Sequence, residues 1–109
     1  MANYQITMVR GDTLAFGLEF EGLNQDIESA KFTVKVNATD EQILFQKTLG
    51  LGISKVEAGQ YVVRIAPYDT ENLEAGNYHF DLEISLNNDV FTIMKGILVL
   101  EQDVTWEVE

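Results

Sequence analysis

The chain contains no cysteine, one proline, one tryptophan and one histidine. The missing thiols exclude a disulfide scaffold, a zinc ribbon, thiol redox chemistry and a cysteine nucleophile together. They leave the compartment open, because a packed β domain of ordinary size needs no bridge. Basic residues are scarce as well: seven Lys and Arg stand against eighteen Asp and Glu, a formal charge of −11. Such a charge repels phosphate backbones and anionic headgroups, so nucleic acid and membrane are poor candidate partners, while solubility is its ordinary consequence. No stretch approaches the ~18 consecutive apolar residues of a membrane span. Met1-Ala2-Asn3-Tyr4 lacks a basic segment leading into an apolar run, so synthesis in the cytoplasm without a standard signal peptide is expected.

What is present suits one small domain spanning residues 1–109. With 109 residues, 46% of them hydrophobic, the chain can bury a continuous core without metals or disulfides. Period-two alternation dominates, and it places successive side chains on opposite faces of a strand. Leu14, Phe16, Leu18 and Phe20 alternate with Ala15, Gly17 and Glu19; Phe32, Val34 and Val36 alternate with Lys31, Thr33 and Lys35. Further strands are expected over Tyr4–Arg10, Ile43–Lys47, Ile53–Val56 and Tyr61–Ala66, the last closed by Pro67, which cannot donate to a ladder. Tyr78–Leu86 is the clearest, with Tyr78, Phe80, Leu82, Ile84 and Leu86 on one face, and a mid-sheet position is expected for it. Asn87-Asn88-Asp89 reads as a hairpin turn into Val90–Leu100, where Gly96 coincides with a change of phase and marks a bulge or bend. Only Tyr68–Ala75 suits a helix, of a turn or two, with Asp69 or Thr70 as cap and Glu71 and Glu74 in the first turn.

Seven to eight short antiparallel strands with minimal helix point to an all-β sandwich or barrel. The segment Gly76-Asn77-Tyr78-His79-Phe80 narrows this to an immunoglobulin-like β-sandwich. In such domains a tyrosine near the start of strand F ties its hydroxyl back to the preceding chain. Gly76, Tyr78 and Phe80 are therefore read as a structural tyrosine corner, with Phe80 at the place of the second antibody cysteine. The competing reading is a Gly-Asn turn before a buried strand tyrosine. The tryptophan that antibody domains carry on strand C is replaced by Phe32 or Phe45, so the likeness is to the wider architecture.

No residue set makes a catalytic, cofactor or metal site. His79 shares a strand face with Asp81 and Glu83, but alternate residues on one strand project side by side rather than converge on an ion. Asp69, Glu71 and Glu74 do not follow the spacing of an EF-hand loop. Ser29, Ser54 and Ser85 lack a nucleophile-elbow context, and Gly50 and Gly52 lack the lysine and hydroxyl of a phosphate loop. The expectation is a protein that is not an enzyme and takes no cofactor. Val104, Trp106 and Val108 alternate along the acidic tail 103–109, which reads equally as a last edge strand or as a protein-contact segment.

Several short segments together carry a family resemblance: Val9-Arg10-Gly11-Asp12-Thr13, Ala30-Lys31-Phe32-Thr33-Val34-Lys35, Ile65-Ala66-Pro67-Tyr68-Asp69-Thr70, Leu73-Glu74-Ala75-Gly76-Asn77-Tyr78 and Asp89-Val90-Phe91-Thr92. From about Val9 to Thr105 the chain resembles small bacteriophage and prophage proteins of Gram-positive hosts, including the N-terminal sandwich domain of phage baseplate upper proteins. The resemblance implies a virion structural module, tail- or baseplate-associated, made in the host cytoplasm. Its partners would be other virion or tail subunits, with a homo-oligomer as one form of that contact. The alternative expectation is an adhesive sandwich that binds cell-wall carbohydrate, for which Tyr4, Tyr61 and Tyr68 would have to form an exposed aromatic platform.

Overall fold

The alternating segments become eight strands: β1 (Asn3–Val9), β2 (Leu14–Glu19), β3 (Ser29–Lys35), β4 (Phe45–Leu49), β5 (Gly52–Glu57), β6 (Gln60–Ile65), β7 (Gly76–Leu86) and β8 (Asp89–Glu101). A one-turn helix α1 (Pro67–Thr70) separates β6 from β7. The computed structural model describes residues 3–22 and 25–104. It forms one mixed sheet in the order β1-β8-β7-β3-β4-β5-β6-β2, nearly closed into a barrel.

The inner face is built from the predicted phases. Ala30, Phe32 and Val34 of β3, Tyr61, Val63 and Ile65 of β6, and Tyr78, Phe80, Leu82 and Ile84 of β7 are buried, with Ile53, Leu98 and Leu100 closing the core. Phe32 sits at its centre, its ring centroid 5.4 Å from Phe80, 5.7 Å from Phe16 and 6.4 Å from Phe45. Packing of this kind adds to the gain from area alone, since aromatic edges and faces attract. β7 lies between β3 and β8, inside the sheet. Its hairpin to β8 turns through Asn87 (φ 55°) and Asn88 (φ 67°), both left-handed, in the geometry whose twist matches that of the flanking strands.

Several expectations are corrected. The sheet is not wholly antiparallel: β1 runs parallel to β8, from Asn3 opposite Lys95 to Val9 opposite Glu101, and β4 and β5 share a two-residue parallel contact. The second arises because the chain jogs sideways at Gly50 (φ 93°) instead of reversing. The phase change in β8 does not come from Gly96, which pairs in register with Phe80. It comes from Ile93, which is left over where Leu82 faces Met94 and Glu83 faces Thr92. Gly96 instead makes room for the first strand. A Cβ there would run into the backbone of Tyr4, so only glycine lets β1 lie against β8. Val36 is exposed, because β3 ends at Lys35 and the chain turns between Asn37 and Asp40, whose amide donates to the Asn37 carbonyl at 3.0 Å.

The helix is a single turn, begins at Pro67 and is differently capped. Ala66 is its N-cap, and Asp69, three residues inside, reaches back to accept the Ala66 amide at 2.7 Å. Thr70 is fully buried and accepts the Gly11 amide at 2.8 Å, fastening the turn after β1 to the helix.

Candidate functional site

The outer face of β8, β7, β3 and β4 carries an open groove of about 800 Å³. Strand pairing fixes its floor. Across β3 and β7, Lys31 lies opposite Glu83, Thr33 opposite Asp81 and Lys35 opposite His79; across β7 and β8, Asp81 lies opposite Lys95. These are the alternates of the buried Phe32, Val34, Phe80 and Leu82, so the residues that fill the core also set the phase of the groove. Tyr4 and Ile97 border it on one side, Ala38 and Ile43 on the other.

Three of the seven cationic residues of a chain with charge −11 therefore share one face. Neither Lys31, Lys35 nor Lys95 makes an ion pair among the described residues; the ion pairs join Arg10 to Asp103, Lys47 to Asp69 and Lys55 to Asp26. Thr33 is held by Gln46, whose Nε2 donates to Thr33 Oγ1 at 2.9 Å. Asp81, half-buried in the middle of the floor, has its carboxyl pushed above the ordinary carboxylate range, first by desolvation and then by the charge of Glu83. Lys35 and Lys95 act in the opposite sense. The arrangement offers separated ammonium groups around a partly desolvated acid, which suits recognition of a charged surface. Among the described residues no group of three His, Asp or Glu side chains is close enough to hold a metal ion.

A second polar cluster closes one end of the barrel. Arg10 Nε donates to Asp103 Oδ1 at 2.9 Å and its Nη1 to the Leu73 carbonyl at 2.9 Å. Tyr78 Oη donates to the Glu74 carbonyl at 2.6 Å, so the hydroxyl is tied four residues back across the Glu74-Ala75-Gly76 corner. Burial, and then the Glu74 carboxylate, push the Tyr78 phenol above its usual value. These contacts hold the end of β1, the segment before β7 and Asp103 together. Phe80 follows in the core, 4% exposed.

Of the proposed contact segment, Val104 is 90% exposed, whereas Trp106 and Val108 lie outside the described residues. The three tyrosines do not gather: Tyr61 is buried with its hydroxyl accepting the Ile27 amide at 3.2 Å, Tyr4 borders the groove, and the exposed Tyr68 lies on α1 beside Lys47. Reasoning from sequence missed the groove lysines as a set. The signal was there in the outward phase of β3, Lys31 and Lys35, but the strand that brings Lys95 beside them depends on the long-range pairing of β8 with β7.

Fold and groove together define an all-β domain with a charged outer sheet face. Compared with family models and with curated proteins, the chain matches none.

Proposed function

We propose that this chain is a non-catalytic docking module that works through protein contacts, and that its setting is the tail or baseplate of a bacteriophage particle. The observation that carries the contact reading is the groove: three lysines that make no ion pair among the described residues, on one face of an otherwise acidic domain, bordered by the exposed apolar side chains of Tyr4 and Ile43. Cations beside apolar rims are what a partner with acidic and apolar groups would meet with complementary charge. The phage setting rests on the resemblance of the segments from Val9 to Thr105.

The same proposal includes an immunoglobulin-like arrangement. Its supports are the order β1-β8-β7-β3-β4 followed by β5-β6-β2, the parallel first strand, and the Tyr78 hydroxyl bound to the Glu74 carbonyl before the corner. In that arrangement the lateral jog at Gly50 passes the chain from one sheet to the other.

The test is mass spectrometry of particles purified after induction of the host. The chain is expected in the particle at a fixed ratio to known tail subunits. Its presence in the host lysate with absence from particles would contradict the reading.

A further inference from the structure

The strand β2 ends the sheet, and among the described residues no strand pairs with its outer edge: Ala15, Gly17 and Glu19 are exposed, while Leu14, Phe16 and Leu18 are half-buried. The phase of that edge follows from one bond. The Phe20 amide donates to the Gly59 carbonyl at 2.8 Å, continuing the β2–β6 register in which Leu14 faces Ile65 and Glu19 faces Gln60. In an antiparallel ladder, backbone groups alternate between the two sides of a strand. Even-numbered residues of β2 thus bond to β6, and Ala15, Gly17 and Glu19 direct their amides and carbonyls outward.

An unpaired edge of this kind invites another strand, and natural edges are usually blunted by charge, proline or bulges. Here the middle of the edge is Gly17, flanked by Ala15, and neither has a side chain to obstruct an approach. Beyond Ala15, on the same outer face, stands Arg64, directly opposite it in β6. Arg64 is exposed and makes no ion pair among the described residues.

We infer that β2 pairs antiparallel with β2 of a second copy of this chain, about a twofold axis at Gly17. The register is dictated by the outward residues, since only odd-numbered positions present free backbone groups. Centring on Gly17 sets Ala15 opposite the second copy's Glu19, and Glu19 opposite the second copy's Ala15. Each Arg64 then lies in line with the second copy's Glu19 across the small Ala15, two strand spacings or roughly 10 Å between backbones. That span is bridged by an extended arginine and an extended glutamate. The pairing is isologous, so the ion pair forms twice, and strand addition supplies backbone hydrogen bonds between them. This inference stands apart from the groove and does not depend on the phage setting.

The test is sedimentation equilibrium of the full chain between about 10 μM and 1 mM, the range in which a weak self-association registers. A monomer–dimer equilibrium is expected. Gly17→Pro removes an outward amide and no β6 bond, so it should give a monomer with an unchanged circular dichroism spectrum. Arg64→Glu should weaken dimerisation at least tenfold, and Arg64→Glu combined with Glu19→Arg should restore it by exchanging the charges. A wild-type chain that stays monomeric throughout the range overturns the inference. So does a dimer that Gly17→Pro and Arg64→Glu leave intact.

Discussion

The Lys47 ammonium lies 2.6 Å from Asp69 Oδ2, with both side chains less than a tenth exposed, at the end of the barrel where β4 meets α1. The same carboxylate oxygen accepts the Ala66 amide, and the ammonium stands 5.3 Å from the Tyr68 ring centroid. Lys47 occupies an inward position of β4, opposite the buried Phe32. A lysine on the core side of a strand is tolerable only because α1 brings an acid to it, and desolvating two charges offsets most of what their attraction gains. Gly52 belongs to this site, since at φ 104° a side chain there would press on Lys47.

Breaking the pair one partner at a time should therefore be costly. Lys47→Met, which leaves a buried carboxylate, is expected to lose ~3–5 kcal/mol in urea unfolding. Adding Asp69→Asn should recover much of it, because the amide oxygen can still accept from Ala66. A double variant no more stable than the single one would show that the pair contributes specific attraction beyond mutual neutralisation.

Gly96→Ala should detach β1 from β8. The new methyl meets the Tyr4 backbone, and overpacking of this sort costs ~1–3 kcal/mol. Hydrogen exchange of the amides from Tyr4 to Val9 should speed up selectively, while β3 and β7 stay protected. Uniform exchange rates across the sheet would mean that β1 adapts without separating.

Tyr78→Phe removes the bond to the Glu74 carbonyl and should cost ~1–2 kcal/mol at neutral pH. The alkaline limb carries a clearer signature. Burial and the Glu74 charge raise the folded phenol above its unfolded value near 10. The stability linked to its proton is then complete below pH ~10 and is lost as pH rises through the folded value. The variant should lose that part of the alkaline decline.

Asp81→Asn should have the opposite effect from a usual acid-to-amide change. The folded carboxyl is raised by desolvation and by Glu83, so its ionisation weighs against the folded state once pH exceeds the unfolded value near 4. The variant is expected to be more stable than the parent at neutral pH and equal to it below pH ~3. Urea titrations at the two pH values measure the difference.

Much of the fold was legible in the sequence because alternation is a local signal. Phe32, Val34, Tyr61, Val63, Phe80 and Leu82 are buried as their phase requires, and Asn87-Asn88 makes a turn where two left-handed residues are needed. What escaped depends on residues far apart in the chain. Gly96 is explained by Tyr4, ninety-two positions away, and the extra residue Ile93 is visible only against β7. The burial of Lys47 depends on Asp69, which α1 supplies from further along the chain. The groove has the same origin: Lys31 and Lys35 are neighbours by local phase, and Lys95 joins them through pairing alone.

Amine-reactive footprinting of the chain, free and in purified particles, reads directly whether this face docks another subunit. Lys31, Lys35 and Lys95 should be strongly protected in the particle, with Lys55, exposed beside Asp26 on another part of the sheet, as the internal reference. Groove lysines that react equally in both states, in particles that do contain the chain, would contradict docking through this face.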